Sequence, residues 1–451
     1  MHLATQSIHP WLDQLDGVTV SPTEFEVLTS TQEYRERLIE LIRTATKRIY
    51  LAALYLQDDE AGRAILTELY QAKQREPQLD IQVLVDFHRA QRGLIGKGPQ
   101  VGNDKFYRDW AEKFAPAEIG VHGVPVKSRE WSGVLHLKGF VIDDTLLYSG
   151  ASINDVYLGW NERYRYDRYH VISNQALTDS MVAFMANELI NDDAVVSLLE
   201  LPIPTAKEMR REIRKFKLKL ARTRYRFNDK VECNDGINIY PLLGLGRTSN
   251  QLNQTIVKAL KSAQKRVFVC TPYFNFPAPV MSAIGKLMKQ GVEVTVVVGD
   301  KTANDFFTPP DEPFSAVSAL PYLYEQNLKR FAYRYQRYID NGKLNIQLWK
   351  CDNHSYHLKG LQIDDSIYVL TGNNLNPRAW NLDLENGLLV HDKQGTLTSQ
   401  FANERQCILR NTDRVSHFRD IEHNSVYPPK VAKLLKRIHR VKADLLLKRI
   451  L

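Results

Sequence analysis

No apolar run in this chain is long enough to cross a bilayer. The longest, such as residues 50–56, is a fraction of the roughly 20 residues that a spanning helix needs. Cysteine is scarce: Cys233, Cys270, Cys351 and Cys407 are scattered through 451 residues with no CxxC spacing. That argues against a disulfide framework or a thiolate zinc site and fits a reducing compartment. The first 17 residues lack the basic start and apolar run of a signal peptide. Low-complexity tracts are missing, and so is an aromatic-interleaved basic stretch of the kind that stacks single-stranded nucleic acid. These absences predict a cytoplasmic chain that meets any membrane from outside and has no specific nucleic-acid partner.

What is present is ordinary globular material, 43% apolar and 25% charged, long enough for two domains. The formal net charge is +8, and its distribution says more than its size. Residues 205–226 carry a net +8 and residues 430–451 a net +7, so the rest of the chain carries −7. Such local basicity points to an anionic partner.

The chain also repeats a reactive phrase. His136-Leu137-Lys138-Gly139-Phe140-Val141-Ile142-Asp143-Asp144 returns as His357-Leu358-Lys359-Gly360-Leu361-Gln362-Ile363-Asp364-Asp365, identical at seven of nine positions. Gly150 and Asn154 follow the first copy, Gly372 and Asn376 the second. Upstream, residues 48–55 parallel 266–273, and both read as buried strands. Helical stretches near 62–74 and 279–290 come next, then apolar strands at 81–86 and 294–300. Strand–helix–strand units predict an α/β fold with a largely parallel core. Residues 135–143 and 356–364 alternate as single strands, which would put the histidine and lysine of each phrase on one face.

This organisation predicts one domain at 1–204 and a similar one at 227–425. Residues 205–226 read as a long basic connecting helix opening at Thr205. Residues 426–451 read as a second basic helix after Pro428 and Pro429. Its Val431, Leu434, Leu435, Ile438, Val441 and Leu445 recur at helical spacing, opposite Lys433, Lys436, Arg437 and Arg440. A cationic amphipathic helix of that kind suits an anionic membrane surface.

A lone His-x-Lys is usually a surface pair or a core histidine. Packing gives no reason to keep His, Lys and Asn in both copies, so the duplication points to one site built from two halves. Two facing histidines suit phosphoryl transfer: one imidazole attacks phosphorus, the other moves protons. Lys138 and Lys359 would neutralise the non-bridging oxygens, with Asn154 and Asn376 adding hydrogen bonds. Each histidine needs an acceptor on its other nitrogen, and Asp167 and Glu385 are the candidates. Asp143 and Asp364 read as loop braces rather than bases. A metal is disfavoured because a lysine between the ligands would repel it, so no cofactor is expected. Ser152 has no nucleophile-elbow sequence around it.

HxKxxxxD followed by a Gly/Asn tail, twice in one chain, resembles the phospholipase D superfamily. The resemblance implies two similar α/β/α domains related by a pseudo-two-fold axis, with the active site at their interface. Three longer strings, residues 148–157, 299–306 and 371–380, resemble the Gram-negative CDP-diacylglycerol–serine O-phosphatidyltransferases over nearly the whole chain. That implies CDP-diacylglycerol and L-serine as substrates and a phosphatidyl-histidine intermediate, with His136 as nucleophile and His357 as acid/base. It also implies peripheral association with the cytoplasmic side of the inner membrane. The motif alone leaves a cardiolipin synthase, a phospholipase and a nuclease open.

Overall fold

The computed structural model describes residues 9–92, 102–227, 236–309 and 312–440. Two sheets carry the chain. In the first, Gly120–Val124, Asp80–Asp86 and Arg48–Ala52 run parallel. Phe140–Ile142, Thr145–Ser149, Tyr169–Ser173 and Phe25–Leu28 then continue antiparallel. The second sheet repeats the plan. Leu344–Trp349, Glu293–Gly299 and Arg266–Thr271 are parallel, and Gly360–Ile363, Ile367–Thr371 and Leu384–His391 are antiparallel. The expected parallel core therefore extends over only three strands per half. The next two strands of each half, Phe140–Ile142 with Thr145–Ser149 and Gly360–Ile363 with Ile367–Thr371, are joined by tight turns, and a tight turn permits only an antiparallel pair.

Side-chain alternation assigns the layers. In the first half Phe140, Ile142 and Leu147 pack into one core with the helices Thr31–Thr44 and Glu60–Arg75. Val141, Leu146 and Tyr148, on the opposite face, pack into another. In the second half Ile367, Val369 and Leu389 join the helices Gln251–Ser262 and Ala278–Lys289. Tyr368, Leu370, Leu388 and Val390 join the core that holds Val141 and Tyr148. The two sheets thus bury their inner faces against each other, with helices outside. Arg168 and Glu404 tie the halves across this interface in a buried two-point ion pair, at 2.8 and 2.7 Å.

The structure departs from the expected boundaries in two places. Val18–Val20 pairs with Ile237–Gly244, so the N-terminal segment adds a strand to the second sheet rather than keeping to residues 1–204. The connecting helix is shorter than 205–226 and spans Arg210–Leu220. Thr205 and Glu208 cap each other on the turn before it. It ends where Thr223 turns its amide back to Leu220 and Tyr225 enters the core. Its apolar residues Ile213, Phe216 and Leu220 are spent on the shared core.

The C-terminal helix is described over Pro429–Arg440. Val431 and Leu435 are buried against Tyr322, Leu323 and Tyr427. This part of its apolar face therefore docks on the protein itself and is not offered to a bilayer, while Lys433, Lys436, Arg437 and Arg440 stay exposed. The expected Val441 and Leu445 lie outside the described residues. No helix among the described residues is long and apolar enough to cross a membrane.

Candidate active site

Each reactive phrase is split where one strand was expected. Leu135–His136 leaves its own half and pairs in parallel with Leu384–His391, His136 opposite Glu385. Ser355–Tyr356 pairs with Arg165–Tyr166, and the His357 amide donates to the Tyr166 carbonyl at 2.9 Å. After each lysine a glycine turns the chain back to its own sheet, with φ of +111° at Gly139 and +118° at Gly360. A side chain at Gly360 would strike the Val369 carbonyl at 2.4 Å. The alternation missed this break because a leucine and a glycine fit a strand pattern until φ turns positive.

The crossing puts each histidine on the other half's carboxylate. His136 Nδ1 lies 2.8 Å from Glu385 Oε1, and His357 Nδ1 lies 2.9 Å from Asp167 Oδ2. The lysines cross as well. Lys359 Nζ donates to Asp167 Oδ2 at 2.9 Å and lies over Gly150, where a Cβ would sit 2.7 Å from it. Lys138 lays its stem over Gly372, where a Cβ would meet Cγ at 2.7 Å. Asn386 clamps the Lys138 backbone from the second half, accepting from its amide and donating to its carbonyl, both at 2.8 Å.

Asn154 and Asn376 stand at the start of the short helices Asp155–Leu158 and Pro377–Asn381. Their Oδ1 atoms accept from the Tyr157 and Ala379 amides, each at 2.9 Å. These oxygens are helix caps, which leaves only the side-chain NH2 groups for a ligand. Asp143 and Asp364 take φ near +50° and each accepts three backbone amides, from residues 46–48 and 264–266. They brace loops outside the chemistry.

One residue beside the histidines escaped sequence reasoning. The Tyr157 hydroxyl lies 3.2 Å from both ring nitrogens of His357. The Arg165 guanidinium covers the Tyr157 ring at 4.5 Å and pairs with Asp305 at 2.8 Å. Tyr273 donates to the same carboxylate at 2.9 Å. Tyr157 and Asp305 fall in two of the quoted strings, but only the fold shows what they touch.

The four crossed groups are buried, and burial sets their charge states. His136 is held well below the ordinary histidine range by burial, then by the charges of Lys138, Lys359 and His357. His357 falls to about 4 by burial and the Lys359 charge, against the pull of Asp167. Burial, then Lys359, brings Lys138 down to about 7. The two carboxylates diverge. Burial alone would raise Asp167, but Lys359 and His357 bring it to about 2. Glu385 is pushed well above the carboxylate range by burial, with Asp383 adding to it. Among the described residues Lys138 Nζ makes no ion pair, whereas Lys359 has Asp167. At neutral pH the site thus holds two neutral imidazoles and an ionised Asp167, with cationic charge from the lysines.

One metal-ligand trio occurs among the described residues: Cys351, Asp352 and His354, whose donor atoms lie within 4.8 Å of one another. It sits on the loop before His357 and outside the crossed pairs. His354 Nδ1 already accepts from the Tyr164 amide at 3.2 Å. At the histidines themselves, the lysines supply the positive charge.

Two segments, 38–187 and 256–407, match the family model described as Cardiolipin synthase, PLD-like domain. The Escherichia coli CDP-diacylglycerol–serine O-phosphatidyltransferase is 45% identical over 98% of this chain and 97% of its own. The chain belongs to the CDP-diacylglycerol–serine O-phosphatidyltransferase family. A second member, from Haemophilus influenzae, is 46% identical with the same coverage of both chains. The crystal structure of a phosphatidylserine synthase from that organism superposes with a TM-score of 0.95, covering 98% of this chain and 99% of that one. Membership in this family is in keeping with two PLD-like halves, each carrying one histidine phrase.

Proposed function

We propose that the chain transfers a phosphatidyl group from CDP-diacylglycerol to L-serine, releasing CMP and forming phosphatidylserine. The observation that carries the mechanism is the crossed, unequal pair of histidine–carboxylate contacts. His136 attacks phosphorus through Nε2, CMP leaves, and a phosphatidyl-histidine forms. As the ring gains positive character, its Nδ1 proton moves toward Glu385, whose raised proton affinity suits it to receive one inside a buried site. CMP is a good leaving group, so this step needs no strong acid.

Serine then needs a base. His357 is neutral, and its Nδ1–H is directed at an ionised Asp167 that stabilises the imidazolium as Nε2 takes the hydroxyl proton. The serine oxygen displaces His136 from phosphorus. Two in-line displacements retain the configuration. Lys138 meets the phosphoryl oxygens directly, because no carboxylate among the described residues already occupies its ammonium, and the amides of Asn154 and Asn376 add donors. A bilayer supplies the lipid substrate, and the exposed Lys433, Lys436, Arg437 and Arg440 add attraction to an anionic surface on the cytoplasmic side of the inner membrane.

The deciding experiment incubates the protein with CDP-diacylglycerol and labelled serine. Serine-dependent CMP release with labelled phosphatidylserine supports the reading. CMP release that ignores serine and depends instead on water, or on a glycerol-bearing lipid, would replace it with a hydrolase or a cardiolipin synthase.

A further inference from the structure

We propose that the bilayer contacts this protein through one face formed by the connecting helix Arg210–Leu220 and the loop carrying Trp131, and that this face delivers the lipid to the His136 side of the site. Three observations lead there. First, the outward stripe of the helix is Arg211, Arg214, Lys215 and Leu218, at the spacing of a single helical face, and the exposed Arg222 follows in the turn just past its end. Leu218 is 61% exposed in the middle of these cations. Among the described residues none of the four makes an ion pair, whereas Lys219, off the stripe, is paired with Glu188 and Asp192. An exposed leucine ringed by unpaired cations has the composition of an interfacial helix face.

Second, Trp131 is also 61% exposed, with Arg129 over its ring at 6.0 Å. Tryptophan beside a cation is the side chain that settles at headgroup depth.

Third, the two features are anchored in one core, and the loop is wired to the site. Ile213, Phe216 and Leu220 pack in the same core as Val126 and Leu135, which flank the Trp131 loop. Burial, then the Lys217 charge, lowers the pKa of Lys127 at the start of that loop. The loop's base is fixed from inside. Arg378 donates to the Glu130 carbonyl at 3.1 Å and pairs with Asp383. Asp383 in turn accepts from the Val134 amide at 3.0 Å, two residues from His136. A rigid base with an exposed aromatic tip, five residues from the nucleophile, places membrane contact beside the phosphorus chemistry. Over its described residues the C-terminal helix lacks this combination, since Val431 and Leu435 are docked on the protein. The inference rests on phosphatidyl transfer only for the identity of the lipid, and the two are tested separately.

The full chain is sedimented with vesicles of phosphatidylcholine, with and without phosphatidylglycerol, at low and high salt and without serine. Wild-type protein is expected to bind the anionic vesicles and to release at high salt. The set Arg211→Gln, Arg214→Gln, Lys215→Gln and Arg222→Gln should lower binding at low salt by about tenfold or more and flatten the salt dependence. The pair Trp131→Ala and Leu218→Ala should weaken binding at both salt levels. Turnover of a monomeric short-chain CDP-diacylglycerol with serine should stay at the wild-type rate in both sets, which verifies folding and reports the reaction independently.

Vesicles carrying brominated acyl chains give a measurement that needs no destabilising change. They should quench tryptophan emission, and Trp131→Phe should remove the quenched component. Wild-type vesicle binding by both sets would overturn the proposal. So would quenching undiminished by Trp131→Phe, or a loss of binding confined to the set Lys433→Gln, Lys436→Gln, Arg437→Gln and Arg440→Gln.

Discussion

Replacing Asp167 by asparagine should separate the two halves of the proposed reaction. The substitution keeps the shape and removes the charge that His357 Nδ1 and Lys359 Nζ share, each at 2.9 Å. Asp167 sits at about 2, against an ordinary 3.8, so the site favours its ionised form by roughly 2 to 3 kcal/mol. Its loss leaves Lys359, itself buried, with no carboxylate. Breaking a buried pair at one end costs about 3 to 5 kcal/mol. The larger effect is on the base. Without the carboxylate, no negative charge stabilises the imidazolium at Nδ1 as serine loses its proton, and losses of about 10⁴ in kcat are the scale for such a position.

In the proposed cycle the first displacement uses His136 and Glu385, which the substitution leaves intact. Asp167→Asn should therefore release about one equivalent of CMP per site in a burst and then stall. Glu385→Gln should lose the burst itself. It should also unfold at a temperature closer to wild type than Asp167→Asn does, because burial already disfavours the charge that glutamine removes. Rapid-quench measurement of CMP, with melting followed by circular dichroism, reads both effects. A burst lost in Asp167→Asn and kept in Glu385→Gln would reverse the order of the histidines. Full turnover in Asp167→Asn would refute the role of the crossed pair.

Three further outcomes follow from the same geometry. Lys138 at about 7 loses its proton as the pH rises, and His357 at about 4 gains one only in acid. The kcat/KM profile should thus fall above about pH 7 and hold its acid limb below the ordinary histidine range, and an acid limb at 6.5 would contradict this. Gly150→Ala drives a Cβ to 2.6 Å from Asp167 Oδ2, a fixed ion-pair atom, while Gly372→Ala meets the flexible stem of Lys138. Kinetics should show kcat falling further in Gly150→Ala, on the order of 10²-fold for a displacement of about 1 Å. Removing either brace, by Asp143→Ala or Asp364→Ala, frees three backbone amides and should cost about 2 to 3 kcal/mol in urea unfolding, with KM for both substrates unchanged.

The phrase His-x-Lys and its two tails were legible because chemistry, unlike packing, demands particular polar residues, and a duplication displays them twice. Asp167 and Glu385 were legible as acceptors, and Asp143 and Asp364 as braces. Which acceptor serves which histidine was not. Asp167 lies 31 residues beyond His136 and Glu385 lies 28 beyond His357, so spacing pairs each carboxylate with the histidine of its own half. The structure does the opposite, and the cause is local. The glycine after each lysine reverses φ, which frees the residues before it to leave their sheet and join the other half at Glu385 and Tyr166.

The same crossing explains why the tails carry glycine and not merely a small residue. It is the opposite half's lysine that lies on Gly150 and Gly372. A histidine from one half is then oriented by a carboxylate from the other, so neither half holds a complete base. Opening the interface that Arg168 and Glu404 close would uncouple both imidazoles from their acceptors at once. Activity should therefore be lost in step with separation of the halves, before either sheet melts. The two copies have also diverged where the proposed reaction needs inequality. One carboxylate stays charged beside a lysine, and the other, two residues from Asp383, is biased toward holding a proton. An evenly duplicated site would offer two equal nucleophiles. In the proposed cycle this one offers a nucleophile whose partner can accept a proton and a base whose partner stays ionised, which is what two successive displacements at one phosphorus would require.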